Sequence, residues 1–109
     1  MVIGSLAGKT GGVADAVQVH YVASKGAVHG VVRWLSRRAI GHGVNVNGIA
    51  PGPVKTNMNA TLTFDYSKLP MGRLGLPEEI GWPVAFLCSP AASYISGVVL
   101  DVNGGTFVG

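Results

Sequence analysis

Val44-Asn45-Val46-Asn47-Gly48-Ile49-Ala50 runs straight into Pro51-Gly52-Pro53-Val54-Lys55-Thr56, and the fold turns on how this stretch is read. The first seven residues are rich in β-branched side chains, and Val44, Val46 and Ile49 are expected to pack into a sheet. Two prolines then take the chain out of the sheet into a loop. Before this stretch, residues 20–40 read as a long helix in which Ala23, Gly26, Ala27 and Gly30 would let another backbone approach closely. After it, Pro77-Glu78-Glu79 makes a good first helical turn, because proline presets φ and carboxylates favour the N-terminal end of the dipole. That helix is expected to run to about Leu87, ahead of the Ser89-Pro90 stop. Residues 2–4 read as the end of a strand, followed by a Gly- and Ala-rich loop to about residue 18, and residues 97–102 as a final strand. Strand–helix–strand–helix–strand predicts a parallel α/β layer. No internal repeat, low-complexity tract or linker divides residues 1–109, which read as one unit.

Tyr21-Val22-Ala23-Ser24-Lys25 lies at the start of the first long helix. Residues four apart share a helical face, so a phenol and an ammonium stand one above the other. A cation held beside a phenol favours its ionised form, which suits the pair to proton exchange. The bare pattern is most simply an exposed Tyr–Lys pair. Its company changes the reading. Upstream stands Ile3-Gly4-Ser5-Leu6-Ala7-Gly8, an apolar stub ending in a hydroxyl. Downstream come the Pro51–Thr56 segment, then Gly72-Arg73-Leu74-Gly75-Leu76-Pro77-Glu78-Glu79-Ile80, then Gly97-Val98-Val99-Leu100-Asp101-Val102-Asn103-Gly104-Gly105.

In this order the motifs resemble the C-terminal half of a classical short-chain dehydrogenase/reductase, over essentially the whole chain. The resemblance implies a partial Rossmann-like, doubly wound parallel sheet. It also implies that residues 1–109 are the C-terminal portion of a single oxidoreductase domain whose N-terminal dinucleotide-binding half is absent. Gly8-Lys9-Thr10-Gly11-Gly12 does not replace the missing pyrophosphate turn, since it follows the wrong strand and fails the G-x-x-x-x-G-K pattern. The family's catalytic asparagine and the residue that separates NAD from NADP would lie in the missing half.

Residue by residue, the resemblance makes Tyr21 the acid/base in interconversion of an alcohol and a ketone. Lys25 would support Tyr21 and hydrogen-bond the nicotinamide ribose of NAD or NADP, and Ser5 would hold the substrate oxygen. Tyr21 follows Ser5 by sixteen positions, longer than the commonest family spacing, and the extra residues are expected to bulge around Thr10–Gln18. Thr56 would bond the nicotinamide carboxamide and Val54 would offer its backbone N–H, with Pro51 and Gly52 shaping the turn. Read without the resemblance, the same segment is a proline-rich loop leaving a strand. Residues 57–71 would form a substrate loop in which Met58, Leu62, Phe64 and Leu69 either meet an apolar substrate or simply pack. Ser24, pointing away from the Tyr–Lys face, is left an indirect role at most. Asn47 reads as a structural hydrogen-bonding residue, and Trp34 and Trp82 as core or interface residues.

Composition narrows the partners. The chain is 48% hydrophobic and only 12% charged, against about 25% charged in an ordinary soluble protein. Much of its surface is therefore expected to face other protein, either the missing half or partner subunits, as a dimer or tetramer when complete. The net charge of +3 is mild, and Arg33, Arg37 and Arg38 sit where a helix end favours cations, so no nucleic-acid partner is expected. Ile80 to Leu100 carries no charge over 21 residues, but Pro83, Pro90 and two glycines argue for a buried helix and strand over a membrane span. His20, His29 and His42 lack compact ligand spacing, so no metal is expected. Cys88, the only cysteine, reads as a small buried apolar residue. With no signal segment visible, a cytoplasmic location is expected. Two other readings stay open: a non-catalytic folding or oligomerisation module derived from the same family, and an extended epimerase or dehydratase relative.

Overall fold

A computed structural model describes residues 1–12 and 17–109. Three parallel strands, β1 (Val2–Ile3), β2 (Gly48–Pro51) and β3 (Val99–Val102), form a sheet in the order β1-β2-β3. Val2 stands opposite Gly48, and Gly48 opposite Val99. The chain crosses from β1 to β2 through α1 (Ala7–Thr10) and α2 (Val19–Ala39), and from β2 to β3 through α3 (Pro77–Leu87).

Successive residues on a strand point to opposite faces, and β2 uses both. Ala50 packs with Val32 of α2 and with Val99, while Ile49 packs with Leu87 of α3 and with Ala92. Val32, Ile49 and Ala50 are fully buried. The sheet is therefore wound on both sides, the doubly wound architecture expected from the sequence.

Several expectations need correction. β2 begins at Gly48, and Val44 is exposed. The lead-in is held instead by the buried Asn47 side chain, whose Nδ2 donates to the Ile95 carbonyl at 2.8 Å and whose Oδ1 accepts from the Val98 N–H at 3.2 Å. Asn47 is thus the structural residue it was taken for. The expected loop after β1 contains α1, whose backbone lies against α2. A Cβ on Gly8 would stand 2.7 Å from the Lys25 carbonyl carbon, so only glycine allows this approach. The Gly26 region does accept a close backbone, and it belongs to the same chain. The expected bulge over Thr10–Gln18 falls partly on residues 13–16, outside the described residues.

Trp34 and Trp82 are 56% and 74% exposed and Cys88 is exposed, so none belongs to this chain's core. The buried positions of α2, namely His29, Val32 and Ser36, mark its inner stripe, and Trp34 lies off it beneath the Arg38 guanidinium at 3.8 Å. On α3 the sheet is met by Ile80, Val84 and Leu87, which turns Trp82 outward. Among the described residues no helix is long and apolar enough to cross a membrane, and no group of His, Cys, Asp and Glu is arranged to hold a metal.

Candidate active site

Parallel strands carry their C-terminal ends to one edge of a sheet, and ligands of such folds sit there. At that edge Ser5, Tyr21, Lys25, Pro51, Gly52, Val54 and Thr56 line a single cleft of about 470 Å³. All seven residues singled out from the sequence are brought together.

Each is held differently. Ser5 follows β1 and is buried. The neighbouring amides of Gly4 and Leu6 donate to the Ile49 and Pro51 carbonyls at 2.8 and 2.9 Å, tying this turn to β2. Ser5 Oγ accepts the Ala7 N–H at 3.2 Å, and its own N–H donates to His29 Nε2 at 3.3 Å. With Oγ accepting, its hydroxyl hydrogen is the group it can offer a substrate oxygen.

Tyr21 and Lys25 share one face of α2, with Lys25 Nζ 5.7 Å from the Tyr21 ring centroid. Lys25 Nζ also donates to the Ile3 carbonyl at 3.1 Å. The ammonium therefore spans from the helix to the edge of β1. Ser24 turns back on its own helix, donating to the Tyr21 carbonyl at 2.8 Å, and does not line the cleft.

The opposite wall is the chain leaving β2. The Gly52 N–H donates to the Val102 carbonyl at 3.0 Å, and a Cβ there would lie 2.8 Å from Asn103 Cα, so glycine lets the turn rest on the end of β3. Val54 forms a parallel bridge with Gly75. Thr56 is exposed, and its hydroxyl lies 3.3 Å from Asn59 Oδ1. Asn59 was missed in the sequence. Its Nδ2 donates to the Val54 carbonyl at 2.5 Å and its Oδ1 accepts the Thr56 N–H at 3.0 Å. A Thr-x-x-Asn spacing after a strand end was the available signal, since both residue types close local turns.

A second lobe of about 270 Å³ continues from Ser5 and Tyr21 into an apolar chamber with Leu6, Val17, Met58, Leu62 and Phe64 on its walls. Leu69, expected with them, lines a different cavity of about 300 Å³ beside Met71 and Asn103. The 3₁₀ turn at Tyr66–Lys68 separates the two ends of this segment.

A family model described as enoyl-(acyl carrier protein) reductase matches residues 1–106. The crystal structure of a short-chain dehydrogenase/reductase, glucose/ribitol dehydrogenase from Brucella melitensis, superposes with a TM-score of 0.88 at 39% identity, covering 99% of this chain and 45% of that one. This chain belongs to the short-chain dehydrogenase/reductase family. The 3-oxoacyl-[acyl-carrier-protein] reductase FabG of Vibrio cholerae is 41% identical over 111 residues, covering 97% of this chain and 44% of the relative. A candidate 2-deoxy-D-gluconate 3-dehydrogenase from Agrobacterium tumefaciens, solved with bound NADP, has a TM-score of 0.87 at 36% identity over 96% of this chain and 45% of that one. The chain thus spans less than half the length of these short-chain dehydrogenase/reductase relatives.

Proposed function

We propose that this chain carries the proton-transfer and nicotinamide-side half of an NAD(P)-dependent oxidoreductase that interconverts an alcohol and a ketone. The observation that carries this reading is the single cleft shared by Ser5, Tyr21, Lys25 and the Pro51–Thr56 turn. Tyr21 gives a proton to the carbonyl oxygen in reduction, or takes it from the hydroxyl in oxidation. Ser5 donates its hydroxyl hydrogen to the same oxygen and fixes its direction. Lys25 stabilises negative charge on the phenol oxygen while Tyr21 is deprotonated.

The donor set fits the nicotinamide end of the cofactor. The Lys25 ammonium has three donors, of which one meets the Ile3 carbonyl. Thr56 and the backbone of Val54 stand on the facing wall, with Pro51 and Gly52 setting the turn. The cofactor, when bound, gives or receives the hydride. Its pyrophosphate would be held by a further part of the domain, outside these 109 residues. The nicotinamide contacts alone offer a few hydrogen bonds, each worth about 0.5–1.5 kcal/mol, against several kcal/mol of association entropy. Calorimetric titration of the 109-residue chain is therefore expected to give an affinity no better than millimolar, and low-micromolar binding would contradict the division. In cells the complete protein would act in the cytoplasm, as a homo-oligomer joined through exposed apolar positions such as Trp34 and Trp82.

The direct test is Tyr21→Phe in the complete protein. It keeps the wall of the cleft and removes the proton, so turnover should fall about 10²–10⁴-fold with cofactor affinity nearly unchanged. Near-wild-type turnover would remove Tyr21 from the acid/base role.

A further inference from the structure

Among the described residues, His29 is the one buried titratable group whose contact reaches the cleft and that the proposed chemistry does not use. Its side chain is 2% exposed on the inner stripe of α2, and its ring lies over Gly4, where a Cβ would stand 2.3 Å from Nε2. No residue but glycine leaves room for the imidazole there. Nε2 accepts the Ser5 N–H at 3.3 Å. Acceptance requires a lone pair on Nε2, hence a neutral ring with its proton on Nδ1. We propose that His29 is a positioning residue for the reaction: its neutral imidazole holds the Ser5 amide and thereby aims Ser5 Oγ at the substrate oxygen. This rests on the reductase reading given above.

Ser5 is thus held at three points, its amide by His29, its Oγ by the Ala7 N–H and its carbonyl by the Gly8 N–H at 3.0 Å. Losing the first frees only the amide side of the residue, so that the direction of Oγ shifts while the Ala7 and Gly8 contacts and the flanking ties to β2 remain. Protonation of His29 would do this, because a charged imidazole donates from both nitrogens and offers no acceptor to Ser5. Every element packed around the ring bears on that event. Burial disfavours the charged form most, and Lys9 of α1 with Arg33 and Lys25 of α2 repels it, while Asp101 of β3 favours it. The balance holds His29 below its ordinary value of 6.5, so the ring is neutral at pH 7. For a histidine lowered on folding, the neutral contact is complete above 6.5 and is lost as the pH falls through the lower folded value.

The experiment uses the complete protein and two readouts. In steady-state kinetics with a 3-oxoacyl thioester and NADPH, His29→Leu should lower kcat about tenfold with KM nearly unchanged, because aim and not affinity is lost. His29→Gln restores an acceptor that does not titrate, so kcat should stay within about twofold of wild type at pH 7 and lack the acid-side decline expected of wild type. Independently of any substrate, the Ser5 amide ¹⁵N resonance of wild type should move with the titration of the His29 ring. If His29→Leu fails to fold, the Gln variant and the amide resonance still decide. A folded His29→Leu enzyme with wild-type kcat and pH profile overturns the proposal, as does a Ser5 amide that ignores His29. A complete protein with no carbonyl turnover sinks the reductase reading instead, and the amide titration then decides the His29 contact alone.

Discussion

Two walls of the cleft are built by different physics. On one side, Ser5 stands just after β1 and Tyr21 and Lys25 on α2, a region fastened by long-range contacts: Gly4 to Ile49, Leu6 to Pro51, His29 to Ser5 and Val32 into the sheet. On the other side, residues 53–75 form two short 3₁₀ turns whose polar contacts are mostly local, such as Asn59 to Val54, Asn59 to Thr56 and Ser67 to Asp65. Met58 and Leu62 in that segment are 85% and 51% exposed. Proton transfer tolerates little displacement, so a wall that carries it gains from deep packing. A wall that admits substrate gains from contacts that can rearrange without unfolding the sheet. Under the proposed function, this asymmetry would separate chemistry from recognition within one small unit.

The largest effect should come from the packed wall. Lys25 both faces the Tyr21 ring and bridges to the Ile3 carbonyl, so Lys25→Met in the complete protein should reduce turnover roughly 10²–10³-fold and weaken the cofactor as well. Steady-state kinetics beside a fluorescence titration of NADPH separates the two losses. Unchanged cofactor affinity would confine Lys25 to the phenol and remove it from the ribose.

Stability should divide along the same line. Ile49 is fully buried between the sheet and α3, so Ile49→Ala should cost about 2–5 kcal/mol in chemical denaturation. Leu62→Ala, at a half-exposed position, should cost less than about 1 kcal/mol. Equal losses would show that the loop wall is as firmly integrated as the sheet and break the comparison.

That division also governs what could be read from the chain. The helices at 20–40 and 77–87 and all three strands were legible, because apolar periodicity, Pro77-Glu78-Glu79 and the Pro51 break act locally. The meeting of Ser5 with Tyr21 and Thr56 in one cleft was legible only through the ordered motifs and their resemblance to a family. What escaped depended on contacts between distant residues. The helix α1 rests on α2 through Gly8, and nothing near Gly8 announces it. Val44 reads as a strand residue until the Asn47 side chain takes over the pairing. His29 looks like any histidine on a helix until Gly4 leaves a space for its ring. Trp34, Trp82 and Cys88 have core-like identities but lie off the inner stripes of α2 and α3, and composition gives no stripe.

A smaller effect tests the recognition wall alone. Asn59 closes the turn by holding Val54 and Thr56 at once, so Asn59→Ala should loosen the proposed nicotinamide contacts while sparing the proton-transfer residues. Loss of a net hydrogen bond of about 0.5–1.5 kcal/mol should raise the KM for NADPH roughly threefold to tenfold with kcat changed little. A fall in kcat comparable to that of Lys25→Met would show that the two walls are mechanically coupled.

The smallest effect is expected where the loop segment ends. Arg73 grips Glu79 through two bonds of 2.7 Å, and the same carboxylate accepts the Leu76 N–H at 2.8 Å, closing the first turn of α3. The Arg73 guanidinium is the main cause, with the Leu76 N–H second, and together they hold the Glu79 carboxyl at about 2, below its ordinary 4.5. A carboxyl depressed on folding contributes above its ordinary value and loses that contribution as the pH falls through the folded one. The pair is exposed to water and screened, so Glu79→Gln should lower the melting temperature by only about 1–2 °C at pH 7. The difference between wild type and variant should then shrink as the pH falls from 4.5 towards 2. A difference that persists unchanged to the acid end would mean that the side-chain amide fails as a cap for a steric reason, and that the charge of Glu79 is not what joins the loop wall to the sheet.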